Sequence, residues 1–168
     1  LADGDATVEV VDEKGLFEGT RAVGVGTLPD DQERGVLVEG DLTVDRGGRW
    51  DRLWPALEDL FGDGGACGRC WCMYGRIGSA YRKAPPKENK AAFREVVRRG
   101  PPPGLLAFDG DVPVGWCQLT PRDALPWLDR AWRLKRVDVV PVWSLSCFYV
   151  RQGYRKRGVT SALIAAAL

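Results

Sequence analysis

The sequence contains no histidine and a single methionine among its 168 residues. The lack of histidine excludes Ser-His-Asp and Cys-His nucleophile systems, zinc sites with histidine ligands and the two-histidine iron site. No apolar run reaches about 18 residues, the length expected of a membrane-spanning helix, and no signal-peptide pattern is present. The sequence therefore predicts a soluble, cytoplasmic protein with no membrane association.

Cysteine is scarce and odd in number, which argues against a disulfide framework of the secreted kind. Three of the five cysteines form a C-x2-C-x-C pattern, which leaves three interpretations open. The first is a zinc site, which would need a fourth ligand from a distant strand. The second is a redox-active or reactive thiol. The third, ordinary buried cysteine, is the one we favour, with no metal predicted; the five residues are Cys67, Cys70, Cys72, Cys117 and Cys147.

Charge is balanced overall, with 24 basic and 23 acidic side chains, but it is unevenly distributed. Residues 1–45 contain 12 acidic and only 3 basic side chains. The remainder is consequently basic, which favours a body that attracts an anion. We predict an acidic β-rich extension, or the end of a preceding domain, over residues 1–40, with strands at 6–11, 20–27 and 35–44.

The rest of the chain, residues 41–168, alternates helical and strand patterns typical of an α/β (α+β) domain. Helical spacing of apolar residues predicts a helix over 49–61, where Pro55 suits only the first turn, and a second helix that stops at Gly100. The turn "DGD" predicts a hairpin between 104–108 and 112–121. The nearly continuous apolar run 139–150 predicts a central strand covered on both faces, and a helix should begin at about Val159.

The stretch "YVRQGYRKRGVTSALI" at 149–164 places four cations at the start of that last helix. A helix N-terminus has unpaired N–H groups and a partial positive charge, so it is suited to hold a phosphate. Gly158 lacks a Cβ where a ligand would approach the backbone. The turn therefore favours a pyrophosphate site, and its cations are Arg151, Arg155, Lys156 and Arg157.

The segment "CFYVRQGYRKRGVTSALI" resembles the acetyl-CoA motif of the GNAT superfamily of N-acetyltransferases, with Arg155, Gly158 and Thr160 on its three fixed positions. The resemblance covers about residues 40–168, and "CGRCWCMYGRIG" is similar to a stretch of a bacterial, uncharacterised branch. It implies a mixed, largely antiparallel sheet flanked by helices on both faces. It also implies further strands after Leu168, which residues 1–45 offer no helix long enough to replace, so the domain shown is expected to be truncated.

This resemblance implies a co-substrate, acetyl-CoA, and a set of residues that hold it. The backbone of Phe148, Tyr149 and Val150 would pair with the pantetheine arm like an added strand. N–H groups from Lys156 to Thr160 would hold the pyrophosphate, with Arg155 and Arg157 as counter-charges. The implied binding residues are Phe148, Tyr149, Val150, Arg155, Lys156, Arg157, Gly158, Val159 and Thr160.

The resemblance also implies that an amine attacks the acetyl thioester directly, so that no covalent nucleophile is needed. A backbone N–H near Phe148 would polarise the carbonyl. The strand "WSLSCFYV" contains no carboxylate, and we expect Ser144 or Ser146 to hold a relay water instead. Four aromatic residues are expected either to wall an amine pocket or to fill the core: Trp71, Tyr74, Trp127 and Trp132.

The sequence thus predicts acetyl transfer to a primary amine, carried by a small molecule or a peptide. A non-catalytic acyl-CoA-binding or regulatory module is the alternative from another class. A nucleic-acid adaptor would use the basic residues between 130 and 136, but no recognisable motif supports it. The identity of the general acid and the choice between monomer and homodimer stay open.

Overall fold

The computed structural model describes residues 7–11, 42–45, 50–66 and 68–168. Within these ranges the chain forms five strands and four α-helices. The strand predicted at 20–27, most of the one at 35–44, and Cys67 lie outside the described residues. The strands are β1 (Thr7–Val11), β2 (Leu42–Asp45), β3 (Gly104–Asp109), β4 (Val112–Pro121) and β5 (Val142–Val150); the helices are α1 (Trp50–Phe61), α2 (Tyr74–Ile77), α3 (Pro86–Arg99) and α4 (Val159–Ala167).

The five strands form one sheet in the order β1-β5-β4-β3-β2. Neighbours pair antiparallel from β2 through β5, whereas β1 runs parallel to β5. The predicted hairpin is confirmed: Asp109 pairs with Val112, and Gly110 has a φ of 57°, the sign that a tight two-residue turn requires at its first central position. The mixed, largely antiparallel sheet is therefore as predicted.

Helices cover both faces of the sheet, as predicted. On one face α1 and α3 pack with the segment around Trp71 against Leu106 and Trp116. On the other face α4 packs through Val159 and Leu163 against β3 and β4. The protein thus has two apolar layers separated by a single sheet.

Helix α1 departs from the prediction at its proline. Pro55 lies in the second turn of Trp50–Phe61, where it cannot donate a backbone hydrogen bond. Trp54 and Leu57, which flank it, are almost completely buried. Burial of this apolar face stabilises a helix that local propensity alone would end at the proline.

Strand β5 is less covered than the sequence predicted, because only Ser144 and Leu145 are buried. It is flanked by β4 along most of its length, but β1 accompanies it only from Val142 to Ser146. The pairing with β1 was itself unexpected, since residues 1–40 were assigned to an extension. The boundary at residue 40 stays a prediction.

Helix α4 approaches the sheet closely because position 115 is glycine. A Cβ built on Gly115 would lie 2.4 Å from Val159 Cγ1 and 3.3 Å from Leu163 Cδ1. Since Val159 and Leu163 are buried, neither side chain can move aside without disturbing the packed layer. Gly115 thereby sets the distance between the sheet and the first turn of α4.

We expect Gly115→Ala to lower the free energy of unfolding by about 1–3 kcal/mol, through overpacking of this layer. Gly153→Ala is the matched control, because a Cβ there would meet no atom within 4 Å. Its effect should stay within about 0.5 kcal/mol. Chemical denaturation of both variants measures the difference, and equal stabilities would contradict the close approach.

Candidate functional site

A β-bulge interrupts β5 at Cys147. Trp116 pairs with Tyr149 and Gln118 pairs with Ser146, so Cys147 and Phe148 together lie opposite the single residue Cys117. Cys147 has a φ of 56°, a left-handed backbone conformation that residues other than glycine rarely adopt. Bulges bend a strand and re-aim its side chains, and they are frequent beside active sites.

The bulge follows directly on the last described pair of β1 and β5. Their register runs from Thr7 with Val142 to Val11 with Ser146, and Cys147 is the next residue. Beyond it, the described strands flank Phe148, Tyr149 and Val150 on the β4 side alone. An unpaired strand edge exposes alternating N–H and C=O groups that an extended ligand can bind. The residues predicted to bind pantetheine lie along this edge.

The turn after β5 leads to a helix N-terminus without a side-chain cap. Gly158 is the N-cap residue of α4, with a φ of 80°, and no side chain caps the helix there. Gly158, Thr160 and Ser161 are exposed, and a Cβ on Gly158 would meet nothing within 4 Å. The first N–H groups of α4 are thus accessible, whereas the Val159 side chain is buried against the sheet and anchors this end of the helix.

The four cations of the turn divide into two groups. Arg151 donates to Asp59 Oδ2 at 2.6 Å and to the carbonyl of Pro113 at 3.0 Å, so it ties the end of β5 to α1 and β4. Arg155, Lys156 and Arg157 are exposed around the start of α4. Arg155 Nε lies 3.3 Å from the Val150 carbonyl, and the Arg157 guanidinium lies over the Tyr154 ring. These three cations immediately precede the N-cap Gly158 in the chain, and their role in binding a phosphate stays a prediction.

A pocket opens at the bulge, where Ser146 and Cys147 line it. Its empty volume is about 410 Å³, a figure that includes open solvent at its mouth. Cys147 and Ser146 of β5 form part of its wall, so the pocket meets the strand edge at the bulge. Most of its lining is apolar or sulfur-bearing, and it comprises Cys70, Cys72, Tyr74, Gly75, Gln118, Leu125, Leu128, Leu134, Ser146 and Cys147.

An ion-pair network holds the segment whose leucines, Leu125, Leu128 and Leu134, line the pocket. Arg122 is buried and donates to Asp129 Oδ1 at 3.0 Å and to the carbonyl of Leu134. Arg136 contacts Asp123 and Asp129 in turn. Burial acts to raise the pKa of Asp129, but hydrogen bonding and attraction to Arg122 and Arg136 outweigh it and hold that pKa below its ordinary value. The segment 122–136 is therefore held in place by charge as well as by packing.

Gln118 contributes an unusual polar group to this pocket. Its side chain is 3% exposed, and its Oε1 accepts from Ser146 Oγ at 3.4 Å. Its Nε2 is buried and has no hydrogen-bond partner among the described residues. A buried donor without a partner costs about 1–3 kcal/mol, so this amide is suited to bind a ligand that enters the pocket.

The two serines expected to hold a relay water occupy different places. Ser146 lines the pocket and contacts Gln118. Ser144 is completely buried beneath it and does not line the pocket, and its hydroxyl has no partner among the described residues. Of the two, only Ser146 faces the pocket.

The four aromatic residues predicted for an amine pocket also lie in different environments. Tyr74 lines the pocket. Trp71 has no exposed surface, lies 5.9 Å from Trp54 and 5.3 Å from Phe61 between ring centroids, and belongs to the core. Trp127 packs on Gly78, and Trp132 is 76% exposed. Complete burial thus removes Trp71 from the pocket wall. Neither Trp127 nor Trp132 lines the pocket, whereas Leu125, Leu128 and Leu134 of the same segment do.

Sequence reasoning missed Gln118, Cys147 and the three leucines. A glutamine inside the apolar run "VPVGWCQLTP" was a signal for Gln118, because a polar residue in a central strand needs a partner. The leucines lie in the 122–138 segment, where the sequence analysis singled out the tryptophans and the basic residues instead. Among the described residues no group of three or more potential ligands is arranged to hold a metal ion.

The match to a family model agrees with this geometry. The model of the acetyltransferase (GNAT) family matches residues 70–168, more than half of the chain. The chain belongs to the GNAT acetyltransferase family. The matched region includes the bulge, the pocket and the turn before α4. No curated protein and no solved structure matches the chain, and none of the described helices is long and apolar enough to cross a membrane.

We expect Gln118→Met to raise the free energy of unfolding by about 1 kcal/mol, because the substitution removes a buried unpaired donor at similar volume. Gln152→Met is the matched control: Gln152 is exposed, so its replacement should change stability by less than about 0.5 kcal/mol. Thermal and urea denaturation of the ligand-free variants measures both. Destabilisation by Gln118→Met would show that the amide already has a partner.

Proposed function

We propose that this GNAT protein transfers an acetyl group from acetyl-CoA to a primary amine, by direct attack in a ternary complex. The observation that carries the proposal is the bulge at Cys147. After it, an edge of β5 that no described strand pairs leads to the N-terminus of α4, and the pocket opens at the bulge itself. Two substrates bound along this edge and in the pocket would meet at residues 146–148.

The turn before α4 suits the diphosphate of the co-substrate. The N–H groups of Gly158 and Thr160 would donate hydrogen bonds to phosphate oxygens, and the partial positive charge of the helix N-terminus favours an anion. Arg155, Lys156 and Arg157 add charge-assisted contacts around those amides. Because Arg151 is already paired with Asp59, we assign it to the scaffold.

The edge of β5 suits the pantetheine arm. That arm contains two amide groups, which can pair with the backbone of Phe148–Val150 as an added strand would. The acetyl group would then lie at the bulge, where a backbone N–H near Phe148 polarises its carbonyl. A donor held by the strand framework needs little reorganisation when negative charge develops on the oxygen.

The pocket suits the amine acceptor. Its lining is mostly apolar, and no carboxylate lines it among the described residues. We therefore expect an amine on an apolar body, with a hydrogen-bond acceptor for Gln118 Nε2, rather than a polycation. Ser146, which contacts Gln118 and lines the pocket, is the group we expect to hold the water that takes the amine proton.

The alternative, a non-catalytic acyl-CoA-binding or regulatory module, would also need no lining carboxylate. The two functions share the diphosphate site and differ in turnover. Isothermal titration with acetyl-CoA, followed by a thiol-release assay over a panel of apolar primary amines, separates them. Binding without release of CoA over the whole panel would support the module.

We expect Gly158→Glu to weaken acetyl-CoA binding by about 100-fold or more, which corresponds to about 2.7 kcal/mol. The glutamate repels the phosphates, blocks the amides and is strained at the positive φ of this position. Gly153→Glu introduces the same charge into the same turn, at an exposed position without positive φ, and should weaken binding only a few-fold. Equal affinities of the two variants in calorimetry would refute the assignment of the diphosphate site.

We expect Ser146→Ala to lower kcat by about tenfold or more, since positioned proton transfer contributes roughly 100-fold or more in enzymes. Ser144→Ala removes an equivalent hydroxyl that does not line the pocket, so its effect on kcat should be much smaller. Steady-state rates with one amine, together with the dissociation constant of acetyl-CoA, distinguish lost turnover from lost binding. Similar rates for both variants would exclude the Ser146 relay.

A further inference from the structure

Two cysteines that are 75 residues apart in the chain meet in the pocket wall. Cys72 Sγ lies 3.2 Å from Cys147 Sγ. Cys72 belongs to the segment that precedes α2, whereas Cys147 is the residue at the bulge. Since a disulfide bond measures about 2 Å, small side-chain movements would bring the sulfurs within bonding distance.

Two polar groups lie close to the Cys72 sulfur. Trp116 Nε1 donates to Cys72 Sγ at 3.1 Å. Arg76 is close enough to interact with it: burial lowers the pKa of Arg76, and attraction to Cys72 opposes that effect. An N–H donor and a nearby cation are also found beside reactive cysteines in other proteins.

The other described cysteines have different surroundings. Cys70 also lines the pocket, but its sulfur accepts the backbone N–H of Tyr74 at 3.1 Å. Cys117 lies in the apolar layer beneath α4, and burial raises the pKa of its thiol well above the ordinary range. Cys117 is therefore protonated and shielded, which leaves Cys72 and Cys147 as the close pair.

Access through the pocket gives the two sulfurs different roles. Cys147 is partly exposed, whereas Cys72 is only 2% exposed behind it. A small oxidant that enters the pocket would reach Cys147 first. Cys72 would then lie in position to resolve the oxidised sulfur.

We propose that Cys72 and Cys147 form a reactive dithiol that hydrogen peroxide oxidises to a disulfide. The Cys147 sulfur attacks one peroxide oxygen, which forms an S–O bond, breaks the O–O bond and releases the other oxygen as water after proton transfer. The Cys72 sulfur then attacks the sulfenic sulfur, which forms the S–S bond and releases a second water. In total the two thiols lose two electrons and two protons, and one peroxide becomes two waters.

Oxidation has a consequence for catalysis, and this consequence rests on the proposed function. A disulfide would tie the bulge to the segment before α2 and reshape the wall shared by the pocket and the strand edge. The oxidised protein should therefore transfer acetyl groups several-fold more slowly than the reduced protein. A thiol reductant should restore the rate.

Peptide mapping tests the dithiol independently of any acetyl transfer. The full chain is oxidised with hydrogen peroxide, alkylated with N-ethylmaleimide and digested with trypsin without reduction. Cleavage after Arg69, Arg76, Arg136 and Arg151 places the pair in peptides 70–76 and 137–151, whereas Cys67 and Cys117 fall in two others. We expect 70–76 linked to 137–151, lighter by two hydrogen atoms than the sum of the two peptides.

Peptide 70–76 also contains Cys70, so serine variants assign the link. Cys70→Ser keeps a hydrogen-bond acceptor for Tyr74 N–H and should retain the linked peptide. Cys72→Ser keeps an acceptor for Trp116 Nε1, and both Cys72→Ser and Cys147→Ser should lose the linked peptide. A link that survives in Cys72→Ser, or wild-type protein in which both thiols are alkylated after peroxide, would overturn the dithiol.

The catalytic consequence is measured separately, as the ratio of oxidised to reduced rate for each protein. A ratio well below one in the wild type, and near one in Cys147→Ser, would support control of the pocket by the dithiol. A linked peptide with an unchanged rate would overturn that control while the dithiol stands. Failure of the reduced protein to transfer acetyl to any amine would refute the proposed function alone.

Discussion

The whole site depends on one irregularity in the sheet, the extra residue that β5 inserts opposite Cys117. Without it, the register between β4 and β5 would continue, and the side chains beyond Ser146 would point to the opposite faces. With it, Ser146 and Cys147 both line the pocket, and the described pairs of β1 with β5 reach up to Ser146. One local change of backbone thus brings two successive side chains into the same concave wall.

The α4 end of the site depends on a second constraint, the close approach of Val159 to Gly115. That approach fixes the first turn of α4 against β4 at the same residue that pairs with Val150 of β5. The accessible amides of α4 are therefore positioned by the same strand that positions the bulge. Arg151 strengthens this junction by joining β5 to Asp59 of α1 and to Pro113 of β4. The two halves of the site share one rigid support.

Local sequence patterns were sufficient for some of these features. The turn around Gly158 was predicted because its glycine, its cations and the following helix are contiguous, and the hairpin because Asp109 and Gly110 specify a turn. Most of the pocket lining was not predicted, because it joins residues 70–75, 118, 125–134 and 146–147, whose proximity arises only from strand register. Trp71 shows a second limit: its neighbours Cys70 and Cys72 line the pocket, but its own side chain turns into the core, where it buries more apolar surface.

Backbone strain is concentrated around this site. Among the described residues, five other than glycine have positive φ: Arg69, Trp71, Cys72, Cys147 and Lys156. Cys72 and Cys147 line the pocket, and Trp71 is adjacent to Cys72 in the chain. Lys156 lies in the turn between β5 and α4. Such conformations cost about 1–3 kcal/mol each and persist only where the surroundings enforce them. Burial of Trp71 among Trp54, Phe61 and Lys90 provides that enforcement for the 69–72 segment. It holds the Cys72 sulfur against the bulge, so the packing of the core and the closeness of the two thiols have the same physical cause.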